Sequence, residues 1–369
     1  MKVQKLEINN FRNIENMVFE PTDGVNIICG ENAQGKTNLL EAIWLFTGLR
    51  SFRGSKDKDF MRFGEDNNSL KMTYFNDIRE QTAEIKFSDK KEILLGGIPC
   101  DSRTKLIGEF LGIIFAPTHL ELIKGGPDER RKFINSALCQ LKPIYAGKYV
   151  QFNKILAQRN TLLKDISYHP ELMDTMEIWN DNYASIGAYL IEERKKYLDL
   201  LLPYLNEFYE GISGGREQIS LEYTGNRKFE GNTCEEIKEE LLEQLNAHLQ
   251  DDINAGFTTV GPHRDDIIVK LNDISVKNFG SQGQQRSCAL SLKMAEASVI
   301  KQITGKQPVA LLDDVMSELD VNRQDYILNH IDGWQVFITC CEPSSILLSK
   351  QSENGKIFEI SGGKICSST

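Results

Sequence analysis

The chain has 369 residues, 40% hydrophobic and 26% charged, a soluble globular composition that excludes disordered and fibrous classes. Its formal net charge of −10 excludes a whole-molecule attraction to nucleic acid, so any DNA contact needs a local basic patch. No apolar run approaches the roughly 20 residues of a membrane span, and the alternating start Met1-Lys-Val-Gln-Lys-Leu-Glu-Ile has no signal-peptide core; a cytoplasmic protein without a membrane partner is expected.

Taken in order, Lys5 to Phe11 alternates like a strand, and Val25-Asn-Ile-Ile-Cys is a compact apolar run that ends at Gly30, as in a strand buried on both faces. From Thr37 the apolar spacing turns helical, with Gly48 as the stop. Short strand-like pieces fill residues 69 to 115, with Gly96-Gly97 as a turn. From about Asp128 to Asp252 helical stripes dominate. Trp179, Tyr183, Ile186 and Leu190 form one such stripe, and a capping box at Thr233 to Glu236 opens another. Prolines 143, 170 and 203, with Gly211 to Gly215, allow only short hairpins there. After about residue 257 mixed strand and helix return. The pattern predicts an α/β domain split in sequence (1–116 and 253–369) around an inserted, mainly helical lobe (117–252). The eight cysteines, at 29, 100, 139, 234, 288, 340, 341 and 366, include no C-x-x-C pair, so free thiols are expected.

Gly30-Glu31-Asn32-Ala33-Gln34-Gly35-Lys36-Thr37 fits the phosphate-loop pattern G-x-x-x-x-G-K-[ST] between a buried strand and a helix. Gly30 and Gly35 allow dihedrals that turn backbone N–H groups toward a phosphate, and the helix aims its positive end at the same anion. Lys36 is the candidate bridge between β- and γ-phosphates of ATP, and the Thr37 hydroxyl the candidate Mg²⁺ ligand. Val309-Ala-Leu-Leu-Asp313-Asp314 is an apolar strand closing in two acids, at the sheet edge where ligands bind in open α/β folds. Asp313 is the candidate Mg²⁺-side carboxylate, and Asp314 the candidate catalytic base or water-orienting group. Ser281, Gly283 and Gln284 open a predicted helix over Gln284 to Ile300. There a hydroxyl, backbone N–H groups and a helix dipole would meet a second phosphate. One chain needs only one γ-phosphate sensor, which points to an ATP-dependent homodimer whose chains complete each other's sites. Ser317-Glu-Leu-Asp320 fits a loop crossing that interface.

Taken together, these elements resemble an ABC-type P-loop ATPase head with a mixed sheet, within the SMC-like chromosome and repair group. Nearly the whole chain resembles the RecF family of bacterial recombination mediators: the loop continued through Asn-Leu-Leu-Glu-Ala-Ile43, Arg50-Ser-Phe-Arg53, Phe115-Ala-Pro-Thr-His-Leu, Lys124-Gly-Gly-Pro-Asp-Glu-Arg-Arg131, Gly261-Pro-His-Arg-Asp-Asp266, Ser281-Gln-Gly-Gln-Gln-Arg286 and Leu311 to Asp320 all stand in order. The resemblance implies ATP-dependent binding to gapped or single-/double-strand junction DNA in repair and replication. It also implies action with RecO and RecR in loading RecA, and slow, DNA-stimulated ATP hydrolysis. Three positions depart from the general ABC pattern: Ala33 stands where many phosphate loops have Gly, though Ala fits the RecF pattern, Asp314 where many have Glu, and Cys340 where transporters place a γ-phosphate-sensing His.

Candidate phosphate contacts to DNA are Arg50, Arg53, Lys56, Lys58, Arg130, Arg131 and Lys132; Arg50 and Arg53 lie close enough to the first helix to serve nucleotide instead. His263 and Arg264 either support a site or shape the Gly-Pro loop. The acidic stretch Glu235 to Asp252 is expected to face away from DNA. Three rivals are an ABC transporter subunit, a small-molecule P-loop kinase and a partner of a nuclease. The first needs a shorter separation of Lys36 from Ser281, and the second leaves the Ser281 motif unexplained.

Overall fold

A computed structural model describes the chain except for residues 89, 101–102, 226–228, 332, 345–354 and 369. The chain divides into two compact units: Met1–His119 with Leu290–Thr369, and Leu120–Ala289. The first crossing falls near the expected 116/117. The second lies at 289/290 and not at 252/253, within a helix, for reasons visible in the inserted unit.

In chain order the first unit begins with β1 (Lys2–Phe11), β2 (Ile14–Phe19), β3 (Val25–Cys29), α1 (Lys36–Trp44), β4 (Asn68–Phe75), β5 (Glu80–Phe87), β6 (Glu92–Leu95), β7 (Ile98–Cys100) and β8 (Gly112–Phe115). The inserted unit holds α2 (Glu121–Lys124), α3 (Pro127–Leu141), α4 (Pro143–Ile166), α5 (Met176–Ser213), β9 (Ile219–Thr224), α6 (Cys234–Ala247), α7 (Leu249–Ala255), β10 (Asp266–Leu271), β11 (Ile274–Ser275) and α8 (Val276–Phe279). Helix α9 (Gln282–Thr304) leads back to β12 (Val309–Leu312), α10 (Val321–His330), β13 (Val336–Cys340), β14 (Lys356–Ser361) and β15 (Lys364–Ser368) of the first unit.

Among the described residues, two six-stranded sheets build the first unit. One is antiparallel, in the order β2-β1-β4-β5-β6-β7. Its β6–β7 hairpin turns on Gly96 and Gly97, at φ 58° and 79°, the two positive values that a two-residue I′ turn requires. The other runs β15-β14-β3-β13-β12-β8 and is parallel except at β14–β15. Ile27, Ile28, Val309 to Leu312 and Val336 to Ile338 are all buried, as a parallel sheet covered on both faces demands. Phe19 of β2 joins the sheets, its ring 4.6 Å from Phe358 and 5.9 Å from Phe337. Leu39, Leu40, Ala42 and Ile43 are the buried face of α1.

The inserted unit is not purely helical. The expected all-helix stretch contains β9, which pairs antiparallel with β10 from Asp266↔Thr224 to Leu271↔Ile219. Asp252 is fully buried and bound by Arg159 of α4 at 2.8 Å. Residues 253–289 are therefore tied to this unit by the strand ladder and by the bond from the same buried Arg159 to Thr258 Oγ1 at 2.7 Å. Pro143 and Pro170 stand at the first turns of α4 and of a 3-10 segment, where proline suits a helix start. Helix α5 runs 38 residues with Pro203 inside it, longer than short hairpins allow. Its Ala188 and Ile191 pack on Ile237 of α6.

Candidate functional site

The loop between β3 and α1 turns through positive φ values at two glycines, as their residue type predicts, and at Ala33, where a residue with a side chain rarely adopts one. Gly30, Ala33 and Gly35 take φ of 143°, 65° and 117°, and Gly35 forms the N-cap of α1. A Cβ on Gly30 would lie 2.3 Å from the Ile360 carbonyl oxygen of β14, so this position excludes any side chain. Lys36 is buried, and its Nζ donates to the carbonyls of Gly30 (2.5 Å) and Glu31 (2.9 Å). That pins the ammonium beneath the loop. Glu31, Asn32 and Ala33 are exposed.

Neighbouring segments brace the loop, and sequence reasoning did not find these braces. Asn13 Nδ2 donates to the Ala33 carbonyl (3.2 Å). In the β14–β15 turn, the Gly362 N–H donates to Gln34 Oε1 (2.5 Å) and the Gly363 N–H to the Gln34 carbonyl (2.9 Å). Cys341 Sγ meets Asn32 Oδ1 at 3.3 Å. Nothing in the sequence around Asn13 or Gly362 marks these contacts, because their partners lie 20 and 328 residues away in the chain. Glu41 of α1 is fully buried, takes both nitrogens of an Arg12 fork and is bonded to Ser51.

The acid strand meets the loop across one intervening strand. Thr37 Oγ1 donates to Asp313 Oδ1 at 2.8 Å, and Thr339 Oγ1, on β13 between β3 and β12, donates to the same oxygen at 2.8 Å. The Asp314 N–H donates to Thr339 Oγ1 at 2.9 Å. Burial pushes the Asp313 carboxyl above its ordinary pKa; the Thr37 and Thr339 hydroxyls pull it back, Asp314 raises it and Arg53 lowers it. Asp314 has φ 53°, an uncommon left-handed conformation for a residue other than glycine. Thr339 is a polar residue one place from the end of a buried parallel strand, a signal the sequence does carry. Cys340, beside it, is buried, and burial lifts its thiol to about 12. Asp320 caps α10, accepting from the Arg323 N–H.

Ser281, Gly283 and Gln284 belong to the inserted unit. Ser281 and Gln284 form a reciprocal cap at the start of α9: the Ser281 N–H donates to Gln284 Oε1 (2.7 Å), and the Gln284 N–H to Ser281 Oγ (3.2 Å). This is the S-x-x-Q capping box, which satisfies two otherwise orphaned donors. Gln284 Nε2 also donates to Glu217 Oε1 (2.6 Å), and Glu217 in turn takes the Tyr209 hydroxyl (2.6 Å). The Ser281 end of the helix is exposed.

The basic candidates separate. Arg50, Arg53, Lys56 and Lys58 are exposed. Arg53 reaches Asn38 Oδ1 (2.9 Å) and lies 3.8 Å from Glu41, both on α1, which puts it on the loop side. Arg130 is a correction. It is buried and holds Asp266 with Nε at 2.6 Å and Nη2 at 2.8 Å, a two-pronged pair that fixes α3 to β10. Arg131 likewise binds the Asp265 carbonyl and Asp128, and Lys132 pairs with Glu129 at 2.5 Å. The Gly261 to Asp266 segment is structural too. A Cβ on Gly261 would fall 2.1 Å from the Tyr183 hydroxyl, and the Pro262 carbonyl accepts from buried Arg194 (2.6 Å). His263 bonds Tyr183 and the Thr258 carbonyl, each at 2.9 Å. Arg264 alone of this segment's basic pair is exposed, its guanidinium 5.0 Å from the Phe257 ring centre.

With the acid strand one place removed from the loop strand, and the phosphate loop opening onto α1, the first unit has the fold of an ABC- and SMC-type P-loop head. The AAA domain family model matches residues 5–303. The Smc head domain from Pyrococcus furiosus, 16% identical, has a TM-score of 0.56 over the full chain and 96% of its own, a likeness of fold alone. The DNA replication and repair protein RecF of Ruminiclostridium cellulolyticum is 42% identical over 99% of both chains, and that of Agathobacter rectalis 37% over 99% of both. The solved structure of the recombination mediator RecF with ATP, from the RecFOR pathway, is 36% identical, with a TM-score of 0.92 over all of this chain and 97% of that one. The chain belongs to the RecF family. Among the described residues no helix is long and apolar enough to cross a membrane.

Proposed function

We propose that the protein is an ATP-switched DNA-binding recombination mediator of repair and replication. On this reading ATP drives two copies together on gapped or single-/double-strand junction DNA. The dimer acts with RecO and RecR to promote RecA loading, and slow hydrolysis resets it. The observation that carries the reading is the 2.8 Å contact between Thr37 and Asp313 beside the buried Lys36. It joins a phosphate cradle to a carboxylate at one sheet edge.

The chain's own groups divide the work. Residues 30–35 turn loop N–H groups to the phosphates, and Lys36 supplies positive charge between them. Thr37 and Asp313 are hard oxygen donors in contact, a pair suited to Mg²⁺, which takes one or two protein oxygens beside phosphate oxygens. When bound, that ion neutralises phosphate charge. Asp314 orients the attacking water and accepts its proton; its carboxylate is one methylene shorter than the Glu common at this place. Ser281, Gly283 and the N-terminal N–H groups of α9 serve the partner's nucleotide, which makes dimerisation depend on ATP. DNA is held through phosphates by exposed basic residues such as Lys56 and Lys58, with no base reading.

The test is fluorescence anisotropy of a labelled gapped duplex, titrated with and without Mg-ATP, beside Lys36→Met and Ser281→Arg. Tighter binding with Mg-ATP that Lys36→Met abolishes supports the switch. Ser281→Arg should keep ATP affinity and lose ATP-dependent dimerisation by light scattering. Equal DNA affinity with and without Mg-ATP overturns the reading.

A further inference from the structure

We propose that Thr339 is a positioning residue for both acids, its single hydroxyl fixing the Asp313 carboxylate against Thr37 and holding Asp314 in its left-handed backbone conformation. This rests on the nucleotide reading above and extends it to a residue outside the loop and acid motifs. Thr339 is fully buried on β13, and β13 pairs with β3 on one side and β12 on the other. It is therefore the polar side chain of the strand separating the two halves of the site. A hydroxyl offers one donor and two acceptor positions, and both functions are used. The proton goes to Asp313 Oδ1 at 2.8 Å, and a lone pair takes the Asp314 N–H at 2.9 Å.

Each bond has a separate consequence. Asp313 Oδ1 accepts from Thr37 as well, so two hydroxyls, one from the first turn of α1 and one from β13, fix one carboxylate oxygen, and the carboxylate's rotation is set by both. The Asp314 backbone, at φ 53°, is in a region that persists only where its surroundings over-determine it. The Thr339 acceptor is the partner of its N–H. Asp314 also anchors the following turn through its carbonyl, which accepts from Ser317 Oγ at 2.9 Å. Without the Thr339 hydroxyl, the first acid loses a donor and the second loses its backbone anchor.

Packing and hydrogen bonding make opposite demands on the side chain. Thr339→Val keeps the shape and loses the hydroxyl; Thr339→Ser keeps the hydroxyl and loses a methyl. Two measurements are made on wild type, both variants and Thr339→Ala. The first is affinity for a fluorescent ATP analogue with Mg²⁺ and with EDTA. Val and Ala should lose about tenfold of the Mg²⁺-dependent tightening, the scale of one hydrogen bond to a charged group. Their EDTA affinity should stay within about twofold and Ser should match wild type. The second, independent of nucleotide, is hydrogen–deuterium exchange of the peptide covering Asp313 to Ser317. It should exchange faster in Val and Ala and unchanged in Ser. A Val variant with wild-type Mg²⁺ dependence and exchange overturns the proposal, as does a Ser variant as impaired as Val. If Val does not fold, the Ala and Ser pair decides by the same criteria. If wild type shows no Mg²⁺-dependent binding but exchange follows the hydroxyl, the nucleotide reading fails while the positioning of the acids stands.

Discussion

Thr37 and Asp313 stand 276 residues apart in the chain and share a 2.8 Å hydrogen bond. Neither position means much without the other: a hydroxyl at a helix start is common, and so is an acid closing a strand. Their contact follows from the strand order, which sets β13 between β3 and β12 and brings both strand ends to one edge. Asp313→Asn keeps an oxygen acceptor for the two threonine hydroxyls while removing the charge. The fold should survive with a stability change within about 1 kcal/mol. The affinity gained from Mg²⁺ should fall at least tenfold in a calorimetric titration of Mg-ATP against ATP with EDTA. Equal affinities for the two proteins in Mg²⁺ would remove Asp313 from the metal side of the site.

Gly30 and Gly97 both have positive φ, yet substitution should cost differently. Gly97→Ala meets nothing within 4 Å and bears only left-handed strain, about 1 kcal/mol. Gly30→Ala puts a methyl 2.3 Å from the Ile360 carbonyl, so β14 or the loop must move, and overpacking of this kind adds about 1–3 kcal/mol. Urea denaturation should rank Gly30→Ala as clearly the more destabilised. ATP affinity should drop for Gly30→Ala alone.

What the sequence discloses depends on how far apart the deciding atoms are. The phosphate loop and the acid strand are local patterns, so residues 30–37 and 309–314 are legible without a fold. The Thr233 to Glu236 capping box is legible for the same reason, and Thr233 accepts from the Glu236 N–H as expected. β9 is not: Ile219 to Thr224 is short and follows 38 residues of helix. Only its ladder with β10, more than 40 residues on, makes it a strand. That ladder also shifts the second domain crossing to 289/290. Arg130 looks like a surface cation because its partner, Asp266, lies 136 residues away. Asn13 and Thr339 have the same difficulty in milder form, being small polar residues whose roles exist only once the strands are ordered.

Because Arg130 is buried against Asp266, its loss should read as instability and not as weakened DNA contact. Removing one partner of a buried pair costs about 3–5 kcal/mol, and Asp266 is partly exposed, so Arg130→Met should fall at or below that range's lower end. Arg130→Met with Asp266→Asn should be less destabilised than the sum of the single changes in a double-mutant cycle. Lys56→Ala and Lys58→Ala, exposed at the N-cap and in the first turn of a short 3-10 segment, should leave the melting temperature unchanged. Each that contacts a phosphate should reduce the slope of log affinity against log salt by about 0.9. A salt slope lowered by Arg130→Met at full stability would restore it as a DNA contact.

Acid should weaken the inserted unit through His263. Its Nε2 is 2.9 Å from the Thr258 carbonyl and its Nδ1 2.9 Å from the Tyr183 hydroxyl. Burial pushes its pKa down from 6.5 to about 4; Arg264 and Arg131 push the same way, while the Thr258 carbonyl and Asp252 oppose. The sign follows from proton counting. Between pH 6.5 and about 4 the unfolded chain binds a proton that the folded histidine refuses, so stability is complete above pH 6.5 and falls as pH drops through that window. His263→Gln removes this group's titration. Its melting temperature should therefore decline less steeply than wild type between pH 6.5 and 4.5, even if it starts lower at pH 7.5. His119 of the other unit, held by burial and Lys293 down at about 3, titrates in an overlapping window, so the comparison is made with His119→Gln as a second background. Parallel declines for wild type and His263→Gln in both backgrounds would show that the Gly261 to Asp266 segment tolerates a charged imidazole, contrary to its enclosure by Tyr183, Arg264 and Arg131.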